Sequence, residues 1–344
     1  MTYTTIEDIA RKVGKSVATV SRVLNGKDAQ GIPISAKTRD LILGTAEELN
    51  YRPNYLAKNL VQGDSKVIGF VVPDIMQSYF NEICYHLSRK LDRVGYDIVL
   101  AHSYENPRSE KQSVEMLLSR RVSGIIISPA MGKENIDYFS KIRKHKIPLI
   151  LLDRYFPGRD FYSVTTDDVR GSYDLTAHLV EQGARRIVFI AGNRNTSVSF
   201  ERIEGYALAL KDAGIPFDER SIVESGYFME DGYRATVELL GGRHGKPADA
   251  VIGINDAVAL GVMRALEERS LRVPGDVLVA GYSNDRYSDF FKTPLTTVTQ
   301  PKEKIAETAV TMLMKTIRRE TIKKSQVKIA CRLVVRASTV SVRG

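Results

Sequence analysis

Two hydrophobic rhythms divide the chain. Through the first fifty residues apolar side chains recur at helical spacing, and from Val67 onward they come as short continuous runs between longer amphipathic stretches. The first rhythm lays a stripe along an α-helix; the second suits buried strands. Thr5 followed by Asp8 has the form of a capping box, Ile6, Ile9, Ala10 and Val13 make one helical stripe, and Gly14 ends it. Ser16 can cap a second helix, with Val20, Val23 and Leu24 on its buried side and Asn25-Gly26 as its stop. Ser35 opens a third, whose expected inner face is Leu41, Ile42, Thr45 and Leu49. Gly14-Lys15 leaves only a tight turn between the first two helices, so the prediction is three short helices around one small core.

The second helix is informative for what it leaves outside. Val17, Ala18, Ser21 and Arg22 lie opposite its buried stripe. The first three are small enough to approach base edges, and Arg22 carries the side chain best matched to guanine O6 and N7. The expected partner is double-stranded DNA, read in its major groove. Residues 53–63 then form an amphipathic turn or two, too short to be stable alone. A nucleic-acid partner would order such a segment, and Leu60 is placed to wedge between base steps of the minor groove.

The later runs are VIGFVV (67–72), DIVLA (97–101), GIIIS (124–128), PLILLD (148–153), RIVFIAG (186–192), AVIGIN (250–255) and VLVAGY (277–282). Apolar strands alternating with helices predict parallel sheets covered on both faces, and their number predicts two similar lobes. In doubly wound sheets ligands bind beyond the carboxyl ends of the strands. That rule nominates Asp74, Tyr79 and Phe80, then Ser128, then Asp153 and Arg154 in one lobe; Thr196, Val198 and Arg202, then Tyr227, then Asn255 and Asp256, then Ser283 and Asn284 come from the other. Aromatic faces with convergent amides and charges suit a small polar effector such as a sugar.

Composition narrows the classes more than it selects one. The net charge of +9 does not locate DNA by itself: residues 1–66 hold 10 Lys and Arg against 7 Asp and Glu, whereas 302–344 hold 11 against 3. The DNA assignment therefore rests on pattern. Two cysteines, Cys84 and Cys331, make no disulfide framework and have no metal-site spacing. The five histidines, at 86, 102, 145, 178 and 244, form no ligand pair, so no metal and no cofactor is expected. No signal-peptide core and no run of the roughly 18 apolar residues needed for a span is visible, and a cytoplasmic protein without membrane contact is expected. Phosphate-binding loop, nucleophile elbow, HExxH and GxGxxG patterns are missing, which argues against an enzyme.

The string TIEDIARKVGKSVATVSRVLNG, followed by ISAKTRDLILGTAEELNYRPNYLAKNL, resembles the headpiece and hinge of the LacI/GalR repressors, and the later segments extend the resemblance over the whole chain. It implies an all-α helix-turn-helix headpiece (1–52), a hinge helix and linker (53–65), and a bilobal sensor like the periplasmic binding proteins (66–344). The first lobe is expected at about 66–163 and 298–325, the second at about 164–297 and 326–344. The resemblance further implies a homodimer, or a tetramer of such chains, on a pseudo-palindromic operator, with Ala57 and Leu60 entering the central minor groove. The DNA-facing set becomes Thr5, Ser16, Val17, Ala18, Thr19, Ser21, Arg22, Asn25, Tyr51, Asn54, Ala57 and Leu60. In the family's effector pockets the positions equivalent to Phe80, Asp153, Arg202, Tyr227, Asn255 and Ser283 are used, and the apolar faces of 108–122 and neighbouring first-lobe helices are expected at the dimer contact.

Two departures stand out. KDAQGIPIS is a slightly long loop, which costs little. Ser283 stands where many sugar-binding members carry Asp, so a bidentate acceptor for paired hydroxyls is lost and a sugar derivative or another polar metabolite is expected. Arg154 and Arg202 would suit an acidic or phosphorylated group. The alternatives are a regulator controlled by a protein co-repressor of the phosphocarrier kind, and a solute receptor without DNA function, which leaves the first 63 residues without a role.

Overall fold

The computed structural model describes residues 4–26, 33–52, 64–241 and 248–340. The chain divides after Ser65 into two compact units.

The first unit holds α1 (Ile6–Val13), α2 (Val17–Leu24) and α3 (Ala36–Glu48). The reciprocal box at its start is complete: Asp8 N donates to the Thr5 hydroxyl (3.3 Å) and Thr5 N to the Asp8 carboxylate (2.9 Å). Gly14, at φ 63°, closes α1 in the left-handed conformation that glycine adopts without strain. Ser16 and Ser35 cap the next two helices through the backbone N–H groups of Thr19 and Thr38. Ile9, Ala10, Val20, Val23, Ile42 and Ala46 form the core, and Leu49 and Tyr51 pack at its margin. Leu41 does not join them, being 50% exposed. Ile42, Thr45, Ala46 and Leu49 make the i, i+3, i+4, i+7 stripe, and Leu41 is rotated about 100° away from Ile42. The Lys12–Glu48 ion pair (2.7 Å) and the Thr4 hydroxyl on the Leu49 carbonyl (2.9 Å) tie α3 back to the start of the unit.

The second unit holds two parallel sheets. One has six strands in the order β11-β5-β4-β3-β1-β2, where β1 is Val67–Val72, β2 Asp97–His102, β3 Gly124–Ile127, β4 Leu149–Leu152, β5 Ser163–Thr166 and β11 Gln326–Ile329. Its faces are covered by α4 (Ser78–Asp92) and α11 (Lys302–Ile317) on one side, and by α5 (Pro107–Ser119) and α6 (Ile136–Lys144) on the other. The other sheet has four strands, β7-β6-β8-β9, formed by Ile222–Glu224, Ile187–Ala191, Ala250–Gly253 and Leu278–Ala280. Around it pack α7 (Asp168–Glu181), α8 (Ser197–Asp212), α9 (Met229–Gly241) and α10 (Asp256–Glu268). A two-stranded antiparallel ribbon pairs β10 (Thr297–Thr299) with β12 (Arg332–Val334).

Two boundaries shift from expectation. β5 pairs with β4 and β11 with β5, in register Ser163↔Gln326, so both strands belong to the first lobe. The chain therefore crosses between lobes after Thr166 and after Ile329, later than 163 and 325. SVTT and QVKI are too polar to read as strands of either sheet. Val114 and Leu117 of α5 are fully buried against their own sheet, so the apolar face of 108–122 is used within the lobe. Exposed apolar groups of the first lobe include Leu100 on the edge strand β2, Tyr85 on α4, and Val94 and Tyr104 beside them in sequence.

Candidate nucleic-acid interface and effector cleft

On α2, burial of Val20 and Val23 against α1 and α3 fixes which side faces out. Val17 and Ala18 are exposed there, and Thr19, Ser21 and Arg22 are half-exposed. Ser16 and Thr19 bond each other (2.8 Å), and the Asn25 amide reaches the Ser21 carbonyl (2.8 Å) and hydroxyl (3.2 Å), so these polar groups hold the helix ends and are presented at the surface together. Thr5 is engaged with Asp8 at the α1 cap, and Tyr51 has its ring at the core margin. Asn54, Ala57 and Leu60 lie outside the described residues.

In the second unit, strand ends from both lobes converge on a cleft. Tyr79 and Gln77 come from the start of α4, Ser128 from the end of β3, Asp153 and Arg154 from the end of β4; Thr196, Val198 and Arg202 come from the start of α8, Tyr227 from the loop after β7, and Asn255 from the end of β8. Tyr79, Tyr227, Phe228, Tyr287, Phe291 and Asn255 are among the residues lining a cavity of about 560 Å³. The Asn255 side chain caps α10 at Val258 N (2.8 Å) and donates to the Tyr227 carbonyl (2.9 Å), and Thr196 meets the Tyr227 hydroxyl (3.2 Å). Tyr227 also seats against Gly192, where a Cβ would lie 2.4 Å from its ring. Only glycine leaves room for the tyrosine there.

Three nominated residues do other work. Phe80 is 3% exposed, in the core of the first lobe. Asp256 is fully buried, accepting from Asp285 N (2.7 Å), Ser288 (2.5 Å) and Thr297 (2.5 Å); burial, then the neighbouring Asp285 carboxylate, pushes it up to about 7. Asp74 accepts from Met76 N (2.8 Å) and shapes the turn into α4.

The two arginines are not free to receive an anion. Arg154 makes a bidentate pair with Glu105 (2.7 and 2.7 Å) and sits 5.2 Å from the Tyr227 ring centroid. Arg202 pairs with Asp168 (3.0 Å) and lies 3.6 Å over the Tyr282 ring. Sequence reasoning missed both carboxylates, although Glu105 and Asp168 also follow strand ends. It equally missed Asp285, two residues beyond Ser283, which accepts from the Ser283 hydroxyl (2.7 Å), from Tyr287 (2.9 Å) and from Ser78 of the opposite lobe. Buried Lys302 joins Asp285 (3.4 Å) to Glu82 (3.0 Å). The acid absent at position 283 is thus supplied from position 285, already engaged.

Asp153 is left with no salt bridge of its own among the described residues. Burial pushes its carboxyl up to about 6, with Asp168 adding to the shift and Arg154 and Arg202 opposing it. Burial, then the Asp153 charge, raises the Tyr79 phenol well above its ordinary value and keeps it a proton donor. Among the described residues the buried Ser128 hydroxyl and Gln77 amide nitrogen have no hydrogen-bond partner, and the Tyr79 hydroxyl lies against the Asp153 carboxylate. Buried polar groups of this kind cost stability unless something satisfies them. Among the described residues no helix is long and apolar enough to cross a membrane, and no His, Cys, Asp or Glu group is arranged to hold a metal.

Residues 5–54 match the family described as "Bacterial regulatory proteins, lacI family", and residues 65–337 match "Periplasmic binding proteins and sugar binding domain of LacI family". The chain belongs to the LacI family. Among curated relatives, catabolite control protein A of Priestia megaterium is 31% identical over 97% of this chain and 99% of its own length. The transcriptional repressor PurR of Pasteurella multocida is 31% identical over 98% and 99%. Of solved structures, a lac repressor dimer bound to operator and the anti-inducer ONPF superposes with TM-score 0.86 at 28% identity, covering 99% of this chain and all of that one. A CelR–cellobiose complex gives 0.73 at 27%, covering 97% and 99%. Regulation of transcription, not catalysis, is what this LacI-family chain shares with these relatives.

Proposed function

We propose that this LacI-family chain represses transcription as a homodimer on a two-fold symmetric operator, with its DNA affinity set by a small effector held in the cleft between the sensor lobes. The observation that carries the reading is α2 itself: a helix one tight turn from its predecessor, anchored by Val20 and Val23, with small Val17 and Ala18 exposed beside Arg22. Such a helix can enter a major groove and bring an arginine to a guanine edge. The lac repressor relative, captured as a dimer on operator, supports the same mode, and Leu60 is assigned here to the minor groove between half-sites.

The cleft supports the effector half of the reading. Strand ends of both lobes meet there, a buried amide of the cavity wall, Gln77, has no hydrogen-bond partner among the described residues, and the CelR relative is a complex with a sugar, cellobiose. An effector that binds one arrangement of the lobes better than the other must shift DNA affinity, and DNA must shift effector affinity by the same factor. We place the protein in the cytoplasm, where operator and metabolite meet. Nuclease footprinting with the purified full chain tests the reading. One symmetric duplex protected in both half-sites at the same protein concentration is the expected result; half-sites filling independently would contradict the dimer.

A further inference from the structure

We propose that the effector of this cleft is a hydroxylated ammonium compound of amino-sugar size, and not an acid or a phosphate ester; this rests on the reading of the cleft as the effector site given above. The residues lining the 560 Å³ cavity include no Lys, Arg or His. They include two carboxylates, Asp285 and Glu230, and five aromatic rings, of which Tyr287 and Phe291 stack at 5.7 Å to make one wall.

The cations behind that wall are already neutralised. Arg154 is bound to Glu105, Arg202 to Asp168, and Lys302 to both Glu82 and Asp285. Counting these groups with Asp153 and Glu230, carboxylates exceed cations. An arriving anion would face like charge with every nearby cation engaged, and like-charge juxtaposition at a closed interface is strongly unfavourable. An ammonium group meets the reverse situation, because carboxylates and the negative faces of aromatic rings both attract it.

The rings of the cleft already show this behaviour toward the protein's own cations: Arg154 lies 5.2 Å from the Tyr227 centroid and Lys302 6.0 Å from that of Tyr79. The hydroxylated part of the ligand follows from the polar groups of the lining. Of the groups lining the cavity, the buried Gln77 amide nitrogen has no hydrogen-bond partner among the described residues, and it can donate to a ligand hydroxyl, as can the Asn81 and Asn255 amides and the Ser283 hydroxyl beside it. A cavity of this size holds one small ring compound with room for water.

Isothermal titration of the full chain with glucosamine, galactosamine and mannosamine, with their neutral parent hexoses and with the hexose 6-phosphates tests the inference, at a pH where the amines are protonated. An amine is expected to bind about tenfold or more tightly than its neutral parent, with the phosphates silent. Glu230→Gln, a change at an exposed position outside any core, should weaken amine binding several-fold more than it weakens binding of the neutral parent. Tighter binding of a phosphate or a neutral hexose, or no binding by any of the three amines, overturns the inference. A phosphate or hexose whose binding is lost in Tyr227→Ala would overturn only the charge class and leave the cleft as the effector site. Binding indifferent to Tyr227→Ala would count against the cleft itself.

Discussion

In the proposed reading of α2, base recognition turns on Arg22. Arg22→Ala is expected to cost about 1–3 kcal/mol on the preferred duplex and to flatten discrimination at one base position, the signature of a lost bidentate contact. Competition binding against duplexes varied at each position reads this directly; a uniform loss on all sequences would assign Arg22 to phosphate instead. The outward set on α2 was legible because one helical period separates the buried valines from everything else. The fate of Arg154 and Arg202 was not. Their partners Glu105 and Asp168 are 49 and 34 residues away in sequence, and nothing local announces the pairing. An arginine at a strand end reads as an anion receptor until its carboxylate is seen.

Secondary elements repeat that division. Thr5, Gly14, Ser16 and Ser35 mark helix ends through bonds made within a few residues, so the headpiece helices could be placed from the chain alone. Strands β5 and β11 could not: their membership in the first sheet comes from pairing across 163 residues, from Ser163 to Gln326, and neither is apolar enough to declare itself. The end of β6 yields a prediction of its own. Gly192→Ala places a methyl group within 2.4 Å of the Tyr227 ring and must displace it. The variant is expected to bind operator like the parent while losing most of its effector response, and Tyr227→Ala should do the same. Operator titrations with and without a cleft ligand measure both quantities; a full effector response in both variants would remove Tyr227 from the site.

For the whole molecule, the lobes are joined where charge is buried. Asp256, at the start of α10, is raised from an ordinary 3.8 to about 7 by burial and by Asp285. Between those two values the folded state holds a proton that the unfolded chain releases, so this group's contribution is complete below about pH 4 and is lost as pH rises toward 7. Asp256→Asn keeps acceptors for Asp285 N and Ser288, and Thr297 can turn to accept. The variant should therefore be at least as stable as the parent above neutrality, and its urea-unfolding free energy should fall less with pH, by up to about 1.4 kcal/mol per pH unit. Parallel pH profiles for the two proteins would show that Asp256 is ionised in the fold.

The bilobal plan itself was legible from the alternation of apolar strands and amphipathic helices, and the cleft from the rule that ligands gather at strand ends. Which strand-end groups lie in the interior and which line the cavity is decided by packing and could not be read locally: Phe80 and Asp256 belong to the interior, while Gln77 and Asp285 line the cavity. Sequence recognition by the headpiece remains the claim on which all of this depends. Its most direct measurement is selection of a random-duplex pool on the purified full chain, followed by sequencing of the bound fraction. Enrichment of one motif with two-fold symmetry, weakened by Arg22→Ala at symmetry-related positions, is the predicted result. A bound fraction no different in sequence from the starting pool, with and without amino sugars present, would contradict the account.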